Sequence, residues 1–339
     1  SPNTVEVNGT QYTGKNVVLA TGSYAKTLPG LDIDGKRVIT SDQALNMDYV
    51  PKSAIVLGGG VIGCEFASVW KSFGADVTII EGLPRLVALE DETSSKQLER
   101  AFRKRKIEFE VGSKFQSLTV NADSVTVNLE NGKSFTAEVL LVAVGRGPVS
   151  AGIGYEEQGI AMDRGYVLVD NKCRTNVPGV WAVGDLIPTL QLAHVGFQEG
   201  ILVAEEIAGL NPRPINYDGV PRVTYSEPEV ASVGLSTAKA KELGYDVEEI
   251  SYDLAGNGKS QILKTAGSIK LVQQKGGPVL GIHMVGARVG ELIGEAQVIY
   301  NWEANAQDVA PFVHAHPTMN EAMGEAFLAL AGKPLHAHG

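Results

Sequence analysis

Residues 54–81, AIVLGGGVIGCEFASVWKSFGADVTIIE, constrain the fold of this chain more than any other stretch. An apolar run at 54–57 enters the glycine turn Gly58-x-Gly60-x-x-Gly63. Val61, Ile62, Phe66, Val69, Trp70 and Phe73 follow at near-helical spacing, Gly74 stops the helix, and a second apolar run at 77–80 ends in Glu81. Strand, helix and strand in that order read as a βαβ unit with an acid at the tip of its second strand. Gly58 permits the tight turn, Gly60 lets the backbone approach a pyrophosphate, and Gly63 lets the helix pack closely on the strand. The helix N-terminus then offers free N–H groups and the positive end of its dipole to the anion. Glu81, eighteen residues past Gly63, is placed to accept bonds from a ribose 2′-OH and would repel a 2′-phosphate. A lone glycine turn could be purely structural; the ordered strand, helix, strand and carboxylate argue for a dinucleotide. The cofactor expected is NAD, held along Gly58, Gly59, Gly60, Val61, Ile62, Gly63 and Cys64, although Arg85, four residues past Glu81, keeps NADP open.

A chain of 339 residues can hold two or three domains with real cores, and its net charge of −10 argues against nucleic acid or an anionic membrane as partner. No apolar run approaches the length of a membrane span, and no signal-peptide pattern is visible. Two cysteines, Cys64 and Cys173, lie far apart and form no disulfide framework, which fits a reducing cytoplasm. Cys64, inside the glycine turn, reads as a small packed residue rather than a reactive thiol.

Before the βαβ unit the text is strand-like at 4–7 and 16–20, with a turn at Asn8-Gly9 between them, and Ser41 is a candidate cap for a short helix at 42–46. After it come a helix at 92–106, a strand at 107–111, a β-meander at 115–135 and an apolar strand at 138–144 that ends in Gly145-Arg146. Residues 149–180 are turn-rich; an apolar strand at 179–183 then ends in Gly184-Asp185, and a helix is expected at 193–208. Past residue 217, strands at 222–225, 267–274 and 279–286 alternate with helices at 237–243, 290–302 and 320–331.

These landmarks resemble the FAD-dependent pyridine nucleotide–disulfide oxidoreductases over essentially the whole chain, and most closely their dihydrolipoamide dehydrogenase branch. Residues 18–23, VLATGS, are similar to the second flavin motif, which implies FAD contacts from Thr21, Gly22 and Ser23. Thr175-x-x-Pro178-Gly179-Val180-Trp181-Ala182-Val183-Gly184-Asp185 is similar to the third, whose aspartate holds the ribityl hydroxyls. Gln191-Leu192-Ala193-His194 matches the segment facing the flavin ring. Gly145-Arg146 matches a glycine–arginine along the bound NAD, Glu65 a glutamate near the nicotinamide, and Phe115 by position a residue against the adenine. Pro228-Glu229-Val230-Ala231-Ser232-Val233-Gly234 resembles the opening of a dimerisation domain.

His316-Pro317-Thr318-x-x-Glu321 is the candidate acid–base site. A histidine can take a proton from a thiol near neutrality and return it, and a carboxylate on its other nitrogen would set the tautomer and favour the imidazolium. Five residues separate the two, so a turn at Pro317 must lead into a helix near Asn320 for Glu321 to fold back on the ring. In the family such a pair reaches into the partner subunit. The rival reading is a metal, since His314-x-His316 and His336-x-His338 both occur, but no cysteine or carboxylate cluster completes a ligand set, and no metal is expected.

The resemblance implies an α/β chain in four segments: 1–41 a remnant of an FAD domain, 42–148 a Rossmann-type NAD domain, 149–216 a central FAD-contacting region and 217–339 an α+β dimerisation domain. It also implies a homodimer that oxidises the dihydrolipoamide of a lipoyl domain in a 2-oxo acid dehydrogenase complex and passes electrons through a disulfide and FAD to NAD. Two family features have no counterpart here: the N-terminal FAD glycine motif and the two redox cysteines four residues apart. The expectation is therefore a truncated chain with little activity of its own. A glutathione-reductase-like enzyme is the alternative within the family, and a non-catalytic NAD-binding or assembly subunit the alternative outside it.

Overall fold

The structure, a computed structural model, describes residues 3–336. It divides into two compact units, one of residues 27–144 and 218–336, the other of residues 3–26 and 145–217.

The larger unit is built on a five-stranded parallel sheet in the order Val38–Ile39, Val139–Val142, Ser53–Leu57, Asp76–Glu81, Ile107–Val111. Val139–Val142 and residues 54–57 are apolar along their length because the sheet centre is covered on both faces, whereas the edge strand Ile107–Val111 alternates with glutamates. One face takes the Val61–Ser72 helix, which buries Cys64, Ala67 and Trp70, and the Glu92–Lys104 helix, which buries Leu98 and Phe102. The other takes an antiparallel meander, Phe115–Val120, Val125–Leu129 and Ser134–Ala137, through Val125, Val127 and Leu129. The strand order reverses between Ser53–Leu57 and Val139–Val142, so the Gly58 turn leaves the sheet at its switch point, where such sheets bind ligands.

The same unit holds a five-stranded antiparallel sheet, Arg222–Thr224, Glu229–Gly234, Val279–Gly286, Ser268–Gln274, Val247–Asp253. The Val289–Asn301 and Asn320–Leu330 helices bury Leu292, Ala296, Met323 and Phe327 with Leu271, Ile282 and Met284 of this sheet. Asp91, which caps the Glu92–Lys104 helix, reaches buried Lys270 at 3.0 Å.

The smaller unit has four two-stranded pairs. Val17–Leu19 lies parallel to Val180–Ala182, and the Ala193–Ile207 helix buries Leu202 and Val203 with Leu19, Ala182 and Leu186.

Two local expectations are corrected. The first hairpin pairs Thr4–Val7 with Thr10–Thr13, and the run expected at 16–20 pairs instead with a strand more than a hundred and fifty residues on. The short helix is Ser41–Ala44, capped by Thr40 in a reciprocal capping box with Gln43 rather than by Ser41. Val38–Ile39 hydrogen-bonds to Val139–Val142 and so joins residues 27–41 to the larger unit, whereas 145–148 and 149–216 share the smaller one with residues 3–26.

Candidate active site

The glycine turn shows why each glycine is there. Gly58 has φ +115°, and a Cβ on it would stand 2.2 Å from the Ala143 carbonyl oxygen. A Cβ on Gly63 would stand 1.8 Å from the Gly58 oxygen, so nothing larger lets the helix start this close to the strand. A Cβ on Gly60 would meet nothing within 4 Å, which leaves open space at the helix start for a pyrophosphate. Gly60 is the helix N-cap and supplies no side chain, so the N–H groups of Val61 and Ile62 are not capped from that residue. The Cys64 thiol is fully buried and donates to Gly59 O at 3.4 Å.

Glu81 is held by backbone: its two oxygens accept from Gly59 N–H at 2.6 Å and Leu83 N–H at 2.7 Å. Each oxygen keeps lone-pair capacity for a ribose hydroxyl. Arg85 is tied away from this edge, because its guanidinium donates to the carbonyls of Ala88 at 2.6 Å and Glu90 at 3.0 Å. Glu65 accepts from Tyr225 N–H at 2.8 Å; burial pushes its carboxyl above the usual range, against the pull of that bond. Phe115 is half-buried at the start of the meander, packed on the cluster that contains Ile55, Leu57 and Ile80.

In the smaller unit Ser23, Asp185 and Arg146 form one cluster. The Ser23 hydroxyl donates to Asp185 Oδ2 at 2.5 Å, while Arg146 donates through Nε to Ser23 Oγ at 2.6 Å and through Nη2 to Ser23 O at 2.8 Å. Asp185 sits in a short 3-10 turn at the end of Val180–Ala182, with its side chain about a quarter exposed. Thr21 donates to Val149 O at 2.5 Å and the Gly22 carbonyl accepts from Val149 N–H, so residues 21–23 are pinned to the 146–149 segment. Gly145 opens that segment, its carbonyl accepting from Lys26 N–H, which puts it in a different unit from Gly58 and Glu81. Gln191 and Leu192 are half-buried and lead into the Ala193–Ile207 helix, where Ala193 and His194 are exposed in the first turn. The Gln191 amide nitrogen is buried with no partner among the described residues, an orphaned donor in the segment matched to the flavin ring.

His316 and Glu321 meet in the larger unit. His316 Nδ1 lies 2.8 Å from Glu321 Oε1, and Thr318 N–H donates to Glu321 Oε2 at 2.9 Å. An ionised carboxylate only accepts, so Nδ1 carries a proton, and in the neutral form of the ring Nε2 keeps its lone pair. Burial tends to raise the Glu321 carboxyl, but the Thr318 amide and the His316 ring outweigh it and hold the group below its ordinary value.

His314, placed in the rival metal reading, pairs with Glu295 at 2.9 Å, and His336 pairs with Glu325 at 2.8 Å. Among the described residues no three metal-ligating side chains converge; His338 lies outside them. Cys64 and Cys173 are buried and unpaired, one in each unit. Burial pushes both thiols up, Cys173 to about 12 and Cys64 further still, so neither is the thiolate that disulfide chemistry needs.

Residues 1–200 match the family described as "Pyridine nucleotide-disulphide oxidoreductase", and residues 220–327 match its dimerisation domain. The chain belongs to this family. It is 41% identical over 329 residues to the dihydrolipoyl dehydrogenase of Bacillus subtilis, covering 95% of this chain and 69% of that one. The mitochondrial dihydrolipoyl dehydrogenase of Schizosaccharomyces pombe is also 41% identical, over 95% of this chain and 65% of its own length. Among solved structures, LpdA from Mycobacterium tuberculosis superposes with a TM-score of 0.89 at 26% identity, over 96% of this chain and 72% of that one. The chain thus spans about two thirds of the length of these relatives. Dihydrolipoyl dehydrogenases of this family use FAD and NAD, and the region matched at 1–200 is their dinucleotide-binding part.

Within this pyridine nucleotide–disulphide oxidoreductase, three side chains make contacts that the sequence did not show. Arg146, expected along NAD, also ties Ser23 beside Asp185. Glu199, buried, accepts from Gly184 N–H, Thr189 and Tyr217 and so fixes the residue before Asp185. Glu295 clamps His314 and Asn320. The first two come together by strand pairing and helix packing across long separations, which leave no spacing signal. The Glu295 clamp could have been sought only once its helix was placed.

Proposed function

We propose that this chain carries the NAD-binding and acid–base parts of a dihydrolipoyl dehydrogenase, the E3 component of a 2-oxo acid dehydrogenase complex. The observation that carries the reading is the His316–Glu321 pair, with the proton on Nδ1 and a free Nε2. Dihydrolipoamide must lose thiol protons to be oxidised. His316 Nε2 accepts one, and Glu321, itself biased to the charged form, stabilises the imidazolium until the proton leaves. Asp185, Ser23 and the Thr21-Gly22 turn would hold FAD at its ribityl chain, with Gln191–His194 along the ring; when bound, FAD supplies the two-electron carrier between thiol chemistry and the nicotinamide. Gly58–Cys64 would cradle the NAD pyrophosphate, Glu81 its ribose, Glu65 the nicotinamide end, and Phe115 the adenine.

The dimerisation-domain match supports a homodimer, and the dihydrolipoyl relatives support a lipoyl domain as partner. Two unpaired cysteines support a reducing compartment, the cytoplasm in this reading; among the described residues no helix is long and apolar enough to cross a membrane. A glutathione-reductase-like reading is opposed by Glu81 and by Arg85, whose Nη2 already donates to the carbonyls of Ala88 and Glu90.

Titration with NADH and NADPH tests the cofactor half. NADH should bind about tenfold or more tightly, and Glu81→Ala should narrow the gap without reversing it, because Arg85 stays tied. Equal affinities in the unmutated chain would sink the NAD assignment.

A further inference from the structure

We propose that Glu295 is a positioning residue for the acid–base pair: its carboxylate ties His314 to Asn320 and thereby holds the turn that presents His316 to Glu321. The inference rests on the reading of His316 as the proton acceptor. Glu295 lies on the Val289–Asn301 helix. Its Oε1 is 2.9 Å from His314 Nε2 and its Oε2 accepts from Asn320 Nδ2 at 2.7 Å. These partners stand at the two ends of the turn, two residues before His316 and one before Glu321. One carboxylate thus sets how far apart the ends lie, and the ring and the acid are held between them.

The rest of the turn is braced in keeping with this role. Thr318 Oγ1 donates to Ala315 O at 2.6 Å, and Asn257 Nδ2 donates to Thr318 O at 3.1 Å. Those bonds fix the middle of the turn but not its ends. His314 is nearly buried, its side chain 11% exposed against 77% for His316. A Cβ on Gly324 would stand 2.6 Å from His314 Nδ1, so a glycine one turn into the Asn320–Leu330 helix makes the room that lets this ring reach Glu295. The two histidines of the H-x-H motif therefore divide the labour: His314 anchors, and His316 handles the proton.

The test reads the ring tautomer, which general loosening of the domain would not set. Nitrogen-15 spectra of histidine-labelled protein should show His316 protonated on Nδ1, whereas an unrestrained neutral imidazole in water favours Nε2–H. Glu295→Ala removes both clamp bonds and should shift His316 toward a mixture rich in Nε2–H, as Glu321→Ala should by removing the acceptor itself. Gly324→Ala should do the same by displacing His314 with Glu295 untouched, although alanine suits a helix interior better than glycine by about 1 kcal/mol. Glu295→Gln keeps one acceptor for two donors and should fall between. Glu291→Ala removes a charge one turn away on the same helix and should leave His316 unchanged. If Glu295→Ala and Gly324→Ala both fold and keep His316 on Nδ1–H, the positioning role is wrong. Should Glu295→Ala fail to fold, Gly324→Ala decides alone. Because the readout needs neither flavin nor turnover, a failure here leaves the proton-acceptor reading standing, and loss of that reading would leave the clamp measurable.

Discussion

The two compact units hold their candidate site carboxylates by different means. In the larger, Glu81 ends a strand of a five-stranded sheet and is fixed by two backbone N–H groups. In the smaller, Asp185 follows a three-residue strand in a two-stranded pair, with one bridge to Arg174 on its other side, and is fixed by a serine hydroxyl, itself held by an arginine. Backbone donors come with the turn and survive most substitutions. Side-chain donors depend on single residues, and a two-stranded pair is marginal without further packing. The larger unit should therefore tolerate point changes at its ligand contacts better, except where backbone itself needs the space.

That exception carries the largest effect. Gly63→Ala puts a methyl where the Gly58 oxygen stands, and the backbone must shift to admit it. We expect it to cost about 3 kcal/mol in chemical denaturation and to abolish NADH binding, measured by fluorescence titration. Retained NADH affinity would show that the close helix–strand approach is not what binds the pyrophosphate.

Each unit also carries one buried cysteine, an internal reporter of opening. Both thiols should be silent to a thiol reagent in the native protein and both should react in denaturant. Under mild denaturant Cys173 should react about tenfold faster than Cys64 if the smaller unit opens more readily. Since burial raises both thiols, their contribution to stability is intact below the ordinary thiol value of about 8.5 and is lost as pH rises toward the value of about 12 held by Cys173. Over that range the loss is the same for both thiols, so alkali by itself should not change which unit opens first. Equal labelling rates would erase the contrast between the units.

The smallest effect is Ser23→Ala, which removes the hydroxyl shared by Asp185 and Arg146. It should cost about 1 kcal/mol of stability and, where flavin binding is measurable, weaken it with little change in NADH affinity. An equal loss for both cofactors would mean that the cluster supports the whole chain rather than one site.

The glycine turn was legible in residue order because its demands are local: a positive φ at Gly58 and missing side chains at Gly60 and Gly63 are written in adjacent positions. The His316–Glu321 pair was legible for the same reason, since a proline-led turn sets the two five residues apart; Glu81 was legible as a strand tip, although its Gly59 partner lies 22 residues back. What spacing could not show was pairing at long range. Residues 17–19 are as apolar as any strand, and nothing in them names Val180–Ala182 as partner. Arg146 follows a glycine in a familiar pattern, yet its place beside Ser23 is decided by the antiparallel pairing of Arg146–Pro148 with Ser23–Ala25. Arg85 looked available to a phosphate until the loop folded its own carbonyls around the guanidinium. Glu295 is one carboxylate among many on amphipathic helices, and only helix packing brings it to His314 and Asn320. Local sequence determined the chemistry each turn can offer; tertiary contacts decided which side chains hold it in place, because hydrogen bonds between distant residues form only after burial has brought them together.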